Sequence, residues 1–276
     1  MTKPTPPTKT IGPVSARLLS GFQKKGKSIF TLEEAVELIK TRYYATANLL
    51  TKLVKRGVIA RINTATYLIL QTGSENAQLK NWPIIARELA GTERYFISHY
   101  SAMRIHGMTS HPLFDVYITL LKRKKDRKVS DIAYHFIYSK KDYFWGAMTH
   151  WATKQDQVRV SDLERTVLDG LDRPDLCGGL TETIRGIWAK QKEIDLKKLI
   201  HYARKFRTKA AVKRLGYILE MFNMASDWTP ALSECIAGAK DYVLLDPQGT
   251  KDGKHISRWR IQLNINTEEL KAGVWG

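Results

Sequence analysis

Negative charge is scarce in this chain. Its 276 residues hold 27 Asp and Glu against 45 Lys and Arg, a formal net charge of +18. Such an excess implies an anionic partner, nucleic acid first and an acidic membrane surface second. Long apolar runs are missing as well: none approaches the roughly 20 residues that a membrane-spanning helix needs, so no membrane partner is expected. Only two cysteines occur, Cys177 and Cys235, with no Cys-x-x-Cys pattern. That argues against a zinc ribbon or a disulfide scaffold and for a reducing cytoplasm. There is no Gly-x-x-x-x-Gly-Lys phosphate loop and no Gly-x-Ser-x-Gly nucleophile elbow. The stretch Met1 to Lys9 is polar and proline-rich without an apolar centre, so it does not read as a secretory signal. Residues 1–10 are expected to form a disordered leader. What remains is 43% hydrophobic, enough to build one large domain or two ordinary ones.

The chain is organised around Ser28 to Leu70. Thr31 and Glu34 have the spacing of a capping box, followed by Leu32, Ala35, Val36 and Ile39 at helical intervals. Thr41 is placed to cap a second helix, Arg42 to Arg56, whose buried stripe reads Tyr43, Ala47, Leu50, Leu53 and Val54. Gly57 stands where a helix is closed in the left-handed region. Val58 to Arg61 and Tyr67 to Leu70 are β-rich and flank Asn63, Thr64 and Ala65. Helix, turn, helix and hairpin in this order predict a winged helix-turn-helix over residues 1–72. An earlier helix from Pro13, with Val14, Leu18, Leu19 and Phe22, would complete its core. Met1 to Leu70 carries eight Lys and four Arg against three Glu, a net +9, half the chain's charge in a quarter of its length.

That pattern yields a candidate DNA-binding surface. The outer face of the second helix presents Arg42, Tyr44, Ala45, Asn48, Lys52 and Lys55, and a major groove admits one α-helix. Arg42, Lys52, Lys55 and, from the wing, Arg61 are the long cations expected at phosphates. Tyr44, Ala45 and Asn48 are placed for base edges, and Asn48 could pair with adenine.

Beyond Leu70, Gln71 to Leu79 reads as a linker and residues 80–276 as a second, mixed α/β domain containing a helical bundle segment. The fold class expected for the whole chain is therefore α/β in the α+β sense. A helix from Pro83 to Ala90, a strand Tyr95 to Ile97 and a helix Ser98 to His106 come first. The alternating runs Leu113–Leu121 and Ile132–Tyr138 then suggest a hairpin with Lys122-Arg-Lys-Lys-Asp-Arg-Lys128 as a basic tip. Ser161 and Glu164 have capping-box spacing at the head of a further helix. Thr181 to Gly238 reads as four helices, the last capped by Thr229, and strands follow at Tyr242–Leu245 and Trp259–Ile265. Lys122, Arg123, Lys124 and Lys125 form one possible partner or nucleic-acid patch. Arg204, Lys205, Arg207 and Lys209, continued by Lys213 and Arg214, form another.

Tyr95-Phe-Ile-Ser-His-Tyr-Ser-Ala-Met103 with His106-Gly107, Glu164-Arg-Thr-Val-Leu-Asp169 with Arg173-Pro174, Arg214-Leu-Gly216, and Leu245-Asp-Pro247 with Trp259 occur in this order. In these segments the chain resembles the AbiEi antitoxins of type IV (AbiE) toxin–antitoxin systems. One departure is the wing, where Asn63-Thr-Ala-Thr66 replaces the glycine often found before the tyrosine. The resemblance implies an antitoxin and transcriptional autorepressor. Its winged helix would bind double-stranded DNA at promoter inverted repeats. Its C-terminal domain would counteract a nucleotidyltransferase-like toxin. No catalytic residue, metal ligand or cofactor comes with it, and a cytoplasmic location is expected. Of the histidines His99, His106, His111, His135 and His150 in the middle third, His99 and His106 are seven apart on one helix and read as packing residues. Two other readings stand beside this one: a metal-dependent nuclease around Asp115, with Lys122 and Lys124 beyond it and no second acidic ligand in view, and a transcription factor with a ligand-sensing domain.

Overall fold

The computed structural model describes residues 11–70, 77–129, 131–154, 156–224 and 226–275. The leader and positions 71–76 of the expected linker lie outside them. Two compact units divide the chain, Met1–Leu89 and Ala90–Gly276. The division falls later than the expected linker because a helix already begins at Ala77 and carries the chain to Ala90.

In the first unit, α1 (Pro13–Lys24), β1 (Ile29–Thr31), α2 (Leu32–Ile39), α3 (Tyr43–Lys55), β2 (Ile59–Arg61), β3 (Thr66–Ile69) and α4 (Ala77–Ala90) follow one another. Thr31 caps α2: its hydroxyl accepts from the Glu34 amide at 3.2 Å, and the Glu34 carboxylate accepts from the Thr31 amide at 2.9 Å. Gly57, at φ +68°, ends α3, and the Val58 amide reaches back to the Leu53 carbonyl at 3.0 Å. The hairpin gains a third strand that the sequence pattern did not disclose: β3 lies between β1 and β2, antiparallel to both. Leu18, Phe22, Phe30, Leu50, Leu53 and Tyr67 fill the core, with the Phe22 and Phe30 rings stacked at 4.4 Å. Val14, expected on this apolar side, is exposed.

Three local expectations are corrected here. The N-cap of α3 is Arg42, not Thr41, whose hydroxyl instead meets that of Thr46 at 2.6 Å. Tyr43 is 49% exposed, so the buried stripe runs through Thr46, Leu50 and Leu53; the first turn of the helix projects past the core. Pro83 lies inside α4 rather than at its start. The burial of Trp82, Ile85, Ala86 and Leu89 at helical spacing favours the longer helix despite the lost amide donor.

The second unit opens with β4 (Tyr95–Ser98), α5 (His99–Ile105), β5 (Asp115–Leu120), β6 (Arg127–Val129), β7 (Ile132–Tyr138), β8 (Ala147–Trp151) and β9 (Gln157–Ser161). The six strands form one mixed sheet in the order β6-β7-β5-β4-β9-β8. The expected hairpin between β5 and β7 is overturned, because these strands pair in parallel, Asp115 opposite Ala133 and Leu120 opposite Tyr138. Parallel neighbours need a crossover rather than a tight turn. The basic segment after β5 therefore passes beyond β7 into β6, which pairs antiparallel with β7 at the sheet edge. Phe114, expected in the buried alternation, precedes β5 and is exposed.

Helices α6 (Leu163–Asp172), α7 (Leu180–Lys190), α8 (Leu196–Lys205), α9 (Lys209–Met221) and α10 (Thr229–Cys235) follow. A small sheet of β10 (Val243–Leu244), β11 (Lys254–Ile256) and β12 (Ile261–Leu263) and the helix α11 (Thr267–Trp275) come last. Asp162, not Ser161, caps α6, accepting from the Arg165 amide at 2.9 Å. Glu164 is thereby released from the expected capping box to accept from the Asp195 amide at the head of α8, at 2.9 Å. Trp228 rather than Thr229 takes the N-cap of α10. Cys177 and Cys235 are both buried and unpaired.

The Arg214-Leu-Gly216 segment proves to be a packing device. Trp259 is fully buried and lies flat against α9, where a Cβ on Gly216 would stand 2.1 Å from its ring. Its indole N–H donates to Glu220 at 2.6 Å. Arg214 is buried beside it and donates to the carbonyls of Leu171, Leu244 and Leu245 at 2.8–3.1 Å. Gly216→Ala is therefore expected to destabilise this unit by about 1–3 kcal/mol through overpacking. A thermal melt unchanged by the substitution would show that the indole does not lie on the helix.

Candidate nucleic-acid interface

The geometry of α3 begins with its periodicity. At 3.6 residues per turn, positions 44, 45, 48, 52 and 55 fall within an arc of roughly 100°, and positions 46, 50 and 53 lie opposite. The structure follows this division: Tyr44, Ala45, Asn48, Lys52 and Lys55 are exposed, while Thr46, Leu50 and Leu53 are buried. Tyr44 is 82% exposed, and Tyr43 meets it edge to face at 5.8 Å. Arg42 is exposed at the N-cap. No carboxylate occurs between Glu37 and Glu75, so nothing acidic within this segment offsets Arg42, Lys52, Lys55 and Arg61.

The wing shows how the chain manages without glycine. The Asn63 side-chain oxygen accepts from the amides of both Ala65 and Thr66 at 3.0 Å, holding the turn by an Asx arrangement. Arg61 is exposed, but its guanidinium folds onto this turn. Nε donates to the Asn63 carbonyl at 3.1 Å and Nη2 to that of Thr64. Arg61 thus shapes the wing, and its Nη1 makes no hydrogen bond among the described residues.

In the second unit the structure separates cations that the sequence ran together. Lys122, Arg123, Lys124 and Lys125 are exposed on the crossover at one end of the six-stranded sheet. There Arg123 lies over the Tyr138 ring and Lys124 over that of Phe136. Arg204, Lys205, Arg207 and Lys209 are also exposed, yet Arg207 is tied to Asp172, and Lys205 rests over Trp145 and Tyr202 at 4.5 and 4.7 Å. Lys213 and Arg214 are buried, their pKa values pulled down by that burial, and they donate to the backbone carbonyls of Asp241 and Leu171. The expected six-cation patch is thus reduced to its first four members.

The histidines divide by environment. His99 is buried at φ +53°, with Nδ1 2.9 Å from the Ser98 hydroxyl; burial lowers its pKa. His106 Nε2 lies 2.6 Å from the Ser161 carbonyl, and burial lowers its pKa too. His135 differs. Asp115 approaches its Nε2 at 2.8 Å and Asp126 its Nδ1 at 2.6 Å, and Tyr117 stacks on its ring at 5.2 Å. Burial alone would lower the pKa of His135, but the two carboxylates outweigh it and hold the value above that of an ordinary histidine. Asp115 thus has an acidic companion that spacing could not reveal. The carboxylates lie on opposite sides of the ring, so the three groups do not converge on one point. No cluster of three metal-ligating side chains occurs among the described residues.

No protein-family model and no curated protein matches the chain. In fold it is similar to the crystal structure of the Rv2827c protein from Mycobacterium tuberculosis, at 13% identity and a TM-score of 0.69, over 98% of this chain and 97% of that one. Among the described residues, no helix is long and apolar enough to cross a membrane.

The Asp115–His135–Asp126 clasp has a definite pH signature. Because the folded pKa of His135 is raised, its stabilising contribution is complete below the unfolded value of about 6.5 and is lost as pH rises through the folded value. An NMR titration should give a midpoint above that of an unperturbed histidine. Asp115→Asn and Asp126→Asn should each lower it. A midpoint insensitive to both substitutions would remove the clasp.

Proposed function

We propose that this chain binds double-stranded DNA sequence-specifically by laying α3 in the major groove, and that it serves as the antitoxin and autorepressor of a type IV toxin–antitoxin operon. One observation carries the DNA-binding part: an exposed α3 face with cations at its ends, polar and aromatic groups between them and no acid, backed by a helix-turn-helix core. Arg42, Lys52 and Lys55 then neutralise phosphates, while Tyr44, Ala45 and Asn48 meet base edges. Arg61 contributes mainly by fixing the wing. The operator would be an inverted repeat.

The antitoxin part rests on the resemblance of the Glu164–Asp169, Arg214–Gly216 and Leu245–Pro247 segments to the AbiEi family. In this reading the 90–276 unit counteracts a nucleotidyltransferase-like toxin by binding rather than by catalysis, in the cytoplasm. The burial of Arg165, Asp169 and Arg214 supports a scaffold role for these motifs. The exposed cations Lys122, Lys125, Arg204 and Lys209 would meet the partner.

Two measurements test the proposal. Lys52→Ala or Lys55→Ala should weaken binding to all sequences alike and lower the salt slope by about one unit. Asn48→Ala should instead relax preference at one base pair, by roughly 1–3 kcal/mol, in a binding-site selection. A selection that recovers no sequence preference with the unaltered chain would overturn specific binding. Metal-dependent cleavage of DNA by the purified protein would favour a nuclease. Failure to rescue cells from the toxin encoded alongside it would overturn the antitoxin role alone.

A further inference from the structure

The second unit contains a cavity that the DNA-binding reading does not use. It has a volume of about 200 Å³ and lies where α7, α8 and α9 meet. Its inner wall is aliphatic, with Ile187, Leu199, Leu215 and Leu219 all buried. An apolar cavity of roughly 150 Å³ stays dry and accepts benzene, so this one has room for a longer unbranched chain. Its rim is polar. Gln191 is half-buried and Asn223 exposed, and neither side-chain amide makes a hydrogen bond among the described residues. Asn223 is held at φ +52° as α9 ends, so its position is fixed by the backbone.

The charges around the rim are uneven. Lys192 and Lys197 flank it in sequence, and both are exposed. Nearby acids are already engaged: Glu193 pairs with Lys190 at 2.9 Å, and Asp195 caps α8 by accepting from the Lys198 amide at 3.1 Å. Neither Lys192 nor Lys197 forms an ion pair or a hydrogen bond among the described residues. An aliphatic interior, two amides at the mouth and two exposed lysines next in sequence to the lining residues Gln191 and Leu196 complement a molecule with an alkyl tail and an anionic head.

We propose that this cavity binds a medium-chain aliphatic carboxylate. The alkyl chain lies against Leu199, Leu215 and Leu219. The carboxylate sits at the mouth, accepting from the Gln191 and Asn223 amides in the field of Lys192 and Lys197. A neutral chain of equal length would keep the apolar contacts and lose the head-group recognition. A protein segment placing an apolar side chain here is the competing occupant, and it would not discriminate between the two small molecules.

The test titrates octanoate, and 1-octanol in parallel, into the full chain while the leucine and isoleucine methyl resonances are followed by NMR. Octanoate should shift Leu215, Leu219 and Ile187 saturably and bind about tenfold more tightly than 1-octanol, a difference of roughly 1.4 kcal/mol. Lys192→Glu combined with Lys197→Glu should erase that preference and leave 1-octanol binding intact. Leu219→Phe, which fills the interior, and Ile194→Trp, which closes the rim, should each abolish the shifts; the rim variant serves if the interior one fails to fold. No saturable shift at these methyl groups, equal affinity for the two probes, or octanoate binding that survives Ile194→Trp in a folded protein would overturn the proposal.

Discussion

A guanidinium shut inside the larger unit fixes much of what surrounds it. Arg165 pairs with Asp169 one turn further along α6 at 2.8 Å, and both side chains are almost wholly buried. Its Nη1 donates to the carbonyls of Tyr143 and Trp145 at 3.0 and 3.1 Å. The rings of Trp145, Phe206 and Phe96 lie 4.4, 5.4 and 5.8 Å from its centre. One cation thus joins α6 to the loop before β8, to the end of α8 and to the six-stranded sheet. A buried charge is tolerated only when it is paired and hydrogen-bonded, and removing one partner typically costs about 3–5 kcal/mol. The Glu-Arg-Thr-x-x-Asp segment is accounted for by this constraint, with no chemistry required of it.

Around that centre the acids act as connectors. Asp162 caps α6 and accepts from the Tyr202 hydroxyl at 2.8 Å, while Lys198 bridges it to Glu164 at 3.2 and 2.8 Å. Burial opposes the charge on Lys198, but the two carboxylates prevail and raise its pKa above the ordinary lysine value. The acid-rich stretch thus holds α8 to the head of α6. Arg214 acts in the same way at the other end of α6, through the Leu171 carbonyl. In this unit, then, several basic residues are structural cement. In the smaller unit the α3 cations are left on the surface, and that difference between the two units makes α3 the better candidate for meeting an anion.

Features governed by neighbours within one helical turn were legible in the sequence. The Thr31–Glu34 box, the closure at Gly57, the outward face of α3 and the strand alternation of β7 all follow from periodicity and capping, which act over four residues or fewer. The α3 surface was legible for the same reason, since one periodic pattern defines both its buried and its exposed side. Long-range pairing was beyond that reach. Whether β5 and β7 form a hairpin or a parallel pair depends on which edge the crossover can reach, and both arrangements share the same alternation. The choice of Asp162 over Ser161 as cap turned on the use that α8 makes of Glu164, about thirty residues away.

The sequence by itself determined a winged helix-turn-helix with a basic outer helix and a following α/β region, because amphipathic periods and charge are properties of short windows. Only the tertiary structure decided which cations are interior, that Arg61 folds onto an asparagine-held turn, and that His135 stands between Asp115 and Asp126, which lie 20 and 9 positions away along the chain. Burial and ion pairing are set by what packs against a residue from elsewhere in the chain. An Arg that binds phosphate and an Arg that holds a core together are the same letter until that packing is known.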